Sequence, residues 1–402
     1  MTLHDANTLL ALHHEAEAET QPYADTEIVT TFGEPQAEYA AVRKACGLVD
    51  LPQRGFIELA GKDRHAFLNN HLTNATVSRE TGEPMAAGQV VYSYYLNLKG
   101  RVVAEMNVIE LGETTLIETD ARVAPKLVQT WDLYLFAEKV KLADATRLKH
   151  AVALHGPGAG ELLKSAGFSR ELSPAAAAVG HVLGVPATVF RDDVCGVPGY
   201  ELIVAAEEAA GLWRGLLEGF GELHEHGRRR LRPVGWAAYN ACRIEAGRAL
   251  FGVDFDGTEP SRPGPKPPAG DQPAEAAHAP GVLPAELPDF ERAVSVTKGC
   301  YLGQEVVARM HARGNKVARK LVPFRMQAEV LPVAGVNVLD KEHNAVGIVT
   351  SSTISPVLSN ACIGLAWVKR PHYDAGNTVT IPAEGSMQEA TIVQGPFLNK
   401  DA

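Results

Sequence analysis

The sequence predicts an α+β fold in which a long region of mixed helices and strands precedes an all-β C-terminal domain. Alternation of apolar and polar residues dominates 321–393, with turn signals at 340–344 and 374–377. Upstream of this region, short strand patterns alternate with helical ones and show no fixed repeat. A chain of 402 residues with 46% hydrophobic and 21% charged residues is long enough for two or three domains.

The first predicted elements are a helix, a strand and a second helix. Residues 1–35 show little regular patterning and are predicted to form an N-terminal extension. Apolar spacing predicts a helix over 36–47, which a glycine ends, and alternation predicts a strand over 55–59. A further helix follows through residues 67–72.

The middle of the chain predicts a strand pair, further helices and an insertion. Two strands are expected between 89 and 109 around the turn 96–100, and helices over 122–136 and 236–246. Nine of the 25 prolines fall within 258–290. That density predicts a loop or a disordered insertion rather than a packed element.

Composition favours a cytoplasmic protein that does not coat nucleic acid. The net charge of −10 opposes general binding to a polyanion. The sequence contains neither a signal-peptide pattern nor an apolar run long enough for a membrane span. Five scattered cysteines without a CxxC pair favour free thiols in a reducing compartment. We expect no metal site, because neither His13-His14 nor His224-x-His226 has a third ligand at suitable spacing.

One local segment is basic. Between 298 and 320 the only acidic residue is Glu305, whereas six residues are Lys or Arg and His311 adds a seventh basic side chain. This pattern indicates either an anionic ligand, such as a polyglutamate tail, a phosphate or an RNA backbone, or an ordinary solvated helix end.

Residues 298–305, with the sequence Lys-Gly-Cys-Tyr-Leu-Gly-Gln-Glu, place a thiol between a lysine and a predicted helix start. Apolar residues at every fourth position from Leu302 to Met310 predict one buried stripe. The charge of Lys298 and the positive end of the helix dipole would favour the thiolate form of Cys300. The alternative is that Cys300 is a small buried hydrophobic residue.

Five separated segments, taken together, resemble one protein family. They are 47–55 (opening with Gly-Leu-Val-Asp-Leu), 67–74 (Phe-Leu-Asn-Asn-His-Leu-Thr-Asn), 240–252 (with Arg-Ile-Glu-Ala-Gly), 298–305 and 347–366. The octapeptide 298–305 resembles the signature of YgfZ-type folate-binding proteins, which are relatives of the glycine-cleavage T-protein. The other four segments follow the T-protein pattern in the same order.

The resemblance implies a T-protein-like cloverleaf, with two mixed α/β lobes and a C-terminal β-barrel around a central folate channel. The lobes would lie within 36–320, including the insertion 258–290, and the barrel within 321–402. Tetrahydrofolate or a folate derivative is the implied cofactor. Iron-sulfur enzymes, including tRNA-modifying ones, are the implied clients.

Two departures from the T-protein pattern bear on chemistry. An Asp pair that includes the catalytic acid is replaced here by Ala104 and Glu105. Glu105 keeps a carboxylate, but its extra methylene can displace a general acid by about an ångström and reduce the rate by roughly two orders of magnitude. Val197 stands where the T-protein has a pterin-binding glutamate, and a valine cannot accept those hydrogen bonds.

The resemblance also assigns candidate site residues. Cys300 and Glu105 are the candidate catalytic groups. Arg243 resembles the arginine that faces the folate, and an ion pair within the protein is the alternative for this guanidinium. The remaining candidate cofactor-binding residues are Tyr92, Asn97, Lys298, Tyr301, Gln304 and Arg313.

These observations lead to three hypotheses for function. The first is a folate-binding accessory protein that supports assembly or repair of iron-sulfur enzymes, with Cys300 as the working thiol. The second is a tetrahydrofolate-dependent aminomethyl or methyl transferase, or a demethylase, with Glu105 as acid and base. The third is an adaptor that contacts tRNA through 309–320, which the acidity of the whole chain disfavours.

Overall fold

The computed structural model describes residues 9–23, 26–222, 230–260 and 281–398. The helices are α1 (Leu10–Glu15), α2 (Pro35–Lys44), α3 (Arg64–His71), α4 (Ala124–Asp132), α5 (Ala159–Ser165), α6 (Ala209–Phe220), α7 (Trp236–Glu245), α8 (Phe290–Ala293) and α9 (Gln304–Ala312). None of the helices in these ranges is long and apolar enough to cross a membrane.

The strands before the C-terminal domain are β1 (Glu19–Tyr23), β2 (Thr26–Thr31), β3 (Gly47–Asp50), β4 (Arg54–Ala60), β5 (Val90–Leu96), β6 (Val102–Glu110), β7 (Thr114–Asp120), β8 (Lys141–Asp144), β9 (Lys149–His155), β10 (Ala177–Val182), β11 (Val185–Arg191), β12 (Gly199–Ala205) and β13 (Arg232–Pro233). They form two large sheets and a hairpin. The first sheet has the order β5-β6-β7-β4-β8 and the second β10-β11-β12-β9-β3-β13, while β1 pairs with β2. Consecutive strands in this region therefore divide between two sheets, which are the two mixed lobes.

A closed six-stranded barrel follows the two lobes, as the sequence predicted. Its strands are β14 (Arg319–Met326), β15 (Asn337–Leu339), β16 (Ala345–Ser355), β17 (Ala361–Lys369), β18 (Thr378–Ala383) and β19 (Ser386–Ile392). They pair in the order β14-β17-β16-β15-β18-β19, and β19 returns to β14 to close the barrel. Closure removes free sheet edges, and the alternating inward residues form a separate apolar core around Phe324 and Ile381.

The N-terminal segment is folded where the sequence predicted an extension. Helix α1 and the paired strands β1 and β2 lie in this segment, and Leu9 is completely buried in the core of the second lobe. His13 is also buried, and its Nε2 lies 2.8 Å from Oδ2 of Asp50. Because this anchoring depends on two residues distant in the chain, no local pattern could reveal it.

The proline-rich segment also contains a packed part. Residues 261–280 lie outside the described ranges, but Val282, Ala285, Leu287 and Phe290 are buried in one apolar cluster. The Val102 N–H donates to the carbonyl of Val282 at 2.8 Å, which connects this segment to the start of β6. The density of prolines predicted a loop or a disordered insertion. The C-terminal end of the segment is instead packed in the core.

Helix α7 carries two buried charges that connect it to the rest of the molecule. Glu245 accepts a hydrogen bond from Tyr39 at 2.8 Å and also contacts Arg43 of α2 and Ser355 of the barrel. Arg243 is completely buried, and its Nη1 contacts Oδ2 of Asp254. Buried charges are tolerated only when they are paired and hydrogen-bonded, so α7 has one position relative to α2 and the barrel.

Asp254 extends this connection into the barrel. Its Oδ1 accepts hydrogen bonds from the hydroxyls of Thr350 and Ser351, both at 2.6 Å, and its backbone carbonyl accepts one from Trp367 Nε1 at 2.9 Å. Arg243 therefore belongs to a structural network, and it does not line the central cavity described below. This position supports the ion-pair alternative rather than the predicted contact with a folate.

We predict that Arg243→Ala lowers the free energy of unfolding by about 3–5 kcal/mol, because it leaves the Asp254 carboxylate buried and unpaired. Denaturant unfolding followed by circular dichroism measures this loss. Lys164→Ala, which breaks an exposed ion pair with Glu171, serves as the control and should change little. A destabilisation of Arg243→Ala as small as that of the control would contradict the proposed role of the pair.

Candidate functional site

A cavity lies where the first sheet, the second sheet and α7 meet. Five of the described aromatic residues line it: Tyr23 of β1, Tyr92 of β5, Trp236 and Tyr239 of α7, and Phe251. Its charged lining consists of the arginines Arg54, Arg248 and Arg292 and the carboxylates Glu105, Glu118, Asp192, Glu201 and Asp289.

One wall is an ion-pair cluster on the first sheet. Arg54 begins β4, and its guanidinium contacts Glu118 of β7 and Oε1 of Glu105 of β6 at 2.9 Å. Asn107 completes the cluster by donating to Oε2 of Glu118 at 2.8 Å. Adjacent strands thus present one arginine between two carboxylates, and the neighbouring carboxylates raise the pKa of Arg54.

The opposite wall is a second ion-pair cluster that crosses between lobes. Arg248, just after α7, lies 3.1 Å from Asp192 and 3.2 Å from Asp289. Arg292 lies 2.7 Å from Asp192, and its guanidinium stacks 4.1 Å above the ring of Tyr92. Because this cluster joins the loop after β11 to α8, it holds the walls of the cavity together.

Glu201 of β12 also lines the cavity. Unlike the other four carboxylates of the lining, it forms no ion pair with any described residue. Its Oε1 is buried without a hydrogen-bond partner. Burial raises the pKa of Glu201 to about 8, the positive charge of Arg54 opposes this shift, and the negative charges of Asp192 and Glu105 add to it. Burial of this carboxyl group thus favours its neutral form.

Ala104 and Glu105, which replace the Asp pair of the T-protein pattern, are successive residues of strand β6. Because successive side chains of a strand alternate between faces, Ala104 packs in the core of the first lobe and Glu105 lines the cavity. Of the two positions, the one that faces the cavity retains a carboxylate. The loss at Ala104 therefore removes a polar group from the core face rather than from the cavity.

A second cavity opens beside the first and shares Tyr92, Asn107, Asp192, Arg248 and Arg292 with it. Val197 lines this second cavity. The position of the family's pterin-binding glutamate is therefore in the lining, although the side chain there is apolar.

Lys298 binds backbone rather than the thiol of Cys300. Its Nζ donates to the carbonyls of Asn69 at 2.6 Å, Leu72 at 2.5 Å and Asn74 at 3.1 Å. Burial lowers the pKa of Lys298 to about 7, whereas donation to three carbonyls uses all three N–H groups of the ammonium form. The predicted activation of Cys300 by Lys298 is therefore not supported by this geometry.

The rest of the octapeptide forms a close joint with the turn after β5. Gly303 has φ +80°, and a Cβ there would approach the carbonyl oxygen of Asn97 to 2.5 Å, so only glycine fits. Asn97 closes its own turn by accepting from the N–H groups of Lys99 and Arg101 at 2.9 and 3.0 Å. Gln304 accepts from the N–H of Tyr301 at 3.1 Å. These contacts give Asn97 and Gln304 structural tasks.

Cys300 is exposed, whereas Cys46, Cys195, Cys242 and Cys362 are buried and all five thiols are free. Helix α9 begins at Gln304, and the residue that it buries is Val307, while Leu302 and Met310 are half-buried. The predicted stripe is therefore shifted toward Val307. Arg313, at the end of α9, is exposed.

The structure thus separates the predicted site residues into two groups. Glu105 and Tyr92 line the cavity. The others lie outside its lining, at Asn97, Arg243, Lys298, Cys300, Tyr301, Gln304 and Arg313. No cluster of His, Cys, Asp and Glu suited to a metal ion occurs among the described residues, and His224 and His226 fall outside them.

Sequence reasoning missed most of the cavity lining. Glu201 lies on a strand that the sequence did suggest, where alternation could have placed it on a polar face. Arg248, Asp289 and Arg292 gave no signal, because their importance depends on pairing across more than 40 residues of chain.

The two lobes, the barrel and the charged central cavity define a T-protein-like class of protein, and comparison with known proteins agrees. Residues 9–261 match the GCVT N-terminal domain, and residues 319–399 match the glycine cleavage T-protein C-terminal barrel domain. The chain therefore belongs to the glycine cleavage T-protein family.

Similar proteins span the same length. Aminomethyltransferases from Chloroherpeton thalassium and Synechococcus sp. are 26% and 27% identical to this chain. The alignments cover 97% and 98% of this chain and 98% of each relative. The crystal structure of glycine cleavage system aminomethyltransferase T from Bartonella henselae has a TM-score of 0.80, with 21% identity and 97% coverage of both chains. That structural likeness confirms the fold.

Proteins of this family use tetrahydrofolate, which agrees with the cofactor predicted from the sequence. The finer resemblance to YgfZ-type proteins is not distinguished by these matches, which are to aminomethyltransferases. The comparisons thus favour the second functional hypothesis over the first.

Proposed function

We propose that this protein binds a reduced folate in the central cavity and takes part in the transfer of a one-carbon group, such as aminomethyl or methyl. The observation that carries this proposal is a cavity walled by aromatic rings and by paired charges, in a chain of the T-protein family.

The residues present fit a reduced folate. The rings of Tyr92, Trp236 and Tyr239 offer faces on which a pterin can stack. A pterin carries several N–H donors, and the unpartnered Oε1 of Glu201 is a buried acceptor for one of them. The adjoining cavity gives room for the remainder of the ligand.

When bound, the folate supplies the nitrogen that carries the one-carbon unit. Arg54 fixes the Glu105 carboxylate at 2.9 Å, so Glu105 keeps one orientation toward the cavity. The burial of Glu105 and Asn107 limits access of water to this wall. The chain thus provides a held carboxylate in a confined space, which is what acid and base work on a one-carbon carrier requires.

We predict that calorimetry detects binding of tetrahydrofolate to the wild-type protein and that Tyr92→Ala weakens it by about tenfold, because a stacking face is lost. Tyr301→Ala is a matched control. Both rings lie beneath a cation, Arg292 or Lys298, but only Tyr92 lines the cavity. Equal losses in the two variants, or absence of binding by the wild type, would contradict the proposed site.

We predict that Glu105→Gln reduces the rate of one-carbon transfer by about 100-fold or more and keeps most of the folate affinity, since it removes the charge without changing the shape. The assay follows methylene- or methyl-tetrahydrofolate formed from tetrahydrofolate and candidate aminomethyl or methyl donors. Unchanged turnover in Glu105→Gln would remove Glu105 from the chemistry.

A second function is supported by Cys300, the one exposed thiol among five cysteines. We propose as an alternative that the protein, in the cytoplasm, assists iron-sulfur enzymes, including tRNA-modifying ones, with Cys300 as its working group. The octapeptide 298–305 supports this alternative. The exposed Arg309, Arg313 and Lys316 nearby offer positive charge to an acidic client surface.

We predict that Cys300→Ala folds normally, because the side chain is exposed, and loses support of iron-sulfur enzyme activity in cells that lack the wild-type protein. Activity of a client enzyme in extracts is the measurement, and Glu105→Gln in the same cells separates the two functions. Full support by Cys300→Ala would exclude a working thiol.

A further inference from the structure

The five carboxylates that line the central cavity are unequally paired. Glu105 and Glu118 share Arg54, and Asp192 and Asp289 are held by Arg248 and Arg292. Those contacts use all three arginines of the lining. Glu201 is left with a buried Oε1 that has no hydrogen-bond partner.

Charged and titratable groups surround Glu201 from each neighbouring element. Arg54 comes from β4, Glu105 from β6, Asp192 from the loop after β11 and Tyr239 from α7. The guanidinium of Arg54 is already bound to two carboxylates of its own sheet. Burial raises the pKa of Glu201 to about 8; the positive charge of Arg54 opposes this rise, and the negative charges of Asp192 and Glu105 add to it.

An unpaired buried acceptor costs about 1–3 kcal/mol, so the cavity gains when a ligand supplies a donor. A reduced pterin supplies N–H donors, and a carboxylate accepts such hydrogen bonds more strongly than a neutral carboxyl group does. Binding of N–H donors therefore favours the ionised form of Glu201.

We propose that Glu201 couples the binding of a reduced folate to the release of one proton, an inference that rests on the proposed folate site. The carboxyl O–H bond breaks, its proton passes to water, and the resulting carboxylate accepts the N–H donors of the ligand. No oxidant, reductant or further reactant is needed for this exchange.

Calorimetric titration with tetrahydrofolate at pH 7, in two buffers of different ionisation enthalpy, counts the protons released. The wild type should release about one proton per bound ligand, and its affinity should rise about tenfold per pH unit below pH 8 and level off above it. Glu201→Gln keeps the size of the side chain but has no proton to lose. It should release none and bind with an affinity independent of pH.

Glu105→Gln is the matched control, because it removes a neighbouring carboxylate that is already paired with Arg54. This variant should still release a proton, with the pH dependence moved to lower pH since one negative charge is gone and Arg54 is freed. Circular dichroism establishes that each variant is folded, and the proton count of the wild type tests the proposal even if Glu201→Gln does not fold.

The outcomes separate this proposal from the proposed function. Binding without proton release, or affinity that falls as pH rises toward 8, would overturn the role of Glu201 and leave the folate site standing. Equal proton release by wild type and Glu201→Gln would also overturn it. Absence of binding by the folded wild type at any pH from 6 to 9 would overturn both.

Discussion

The architecture depends on the paired charges buried at the end of α7. Arg243 and Glu245 are completely buried, and each is bonded to partners from other parts of the chain. Arg243 is bonded to Asp254, which accepts hydrogen bonds from Thr350 and Ser351 of the barrel. Glu245 accepts a hydrogen bond from Tyr39 of α2. Because an unpaired charge at this depth would be costly, the lobes and the barrel can meet in only one arrangement. The first turns of the same helix then bring Trp236 and Tyr239 to the central cavity.

The cavity repeats this principle with one exception. Its arginines are shared among four carboxylates, so each wall is rigid and electrically almost balanced. Among the described residues Glu201 remains outside the ion pairs, and its Oε1 is buried without a hydrogen-bond partner. A pocket whose walls are pre-organised binds a ligand with little reorganisation. The unpaired Glu201 is the basis for the proposed role of β12 in ligand recognition.

The octapeptide 298–305 has a different place in the molecule. Lys298 ties it to the backbone at Asn69, Leu72 and Asn74, and the Asn74 amide in turn donates to the carbonyls of Tyr92 and Arg292 at 3.0 and 2.9 Å. The motif therefore contacts the cavity-lining residues Tyr92 and Arg292 indirectly, through Asn74, while Cys300 is exposed to solvent. A motif can thus be diagnostic of a family because of how it packs, and its exposed thiol remains free for a separate task.

The sequence by itself determined the fold class, the family and the barrel. Local alternation and helix signals are short-range properties, and five motifs in order leave few alternatives, so strands such as β4–β6 and helix α7 were predicted close to their observed bounds. It also identified Glu105 and Tyr92 as cavity residues. Only the tertiary structure decided that Arg243 is a structural ion pair, that Lys298 binds carbonyls and that Glu201 has no partner. The reason is physical: whether a charged side chain is paired, buried or free depends on residues that approach it from distant parts of the chain, and no local pattern records those distances.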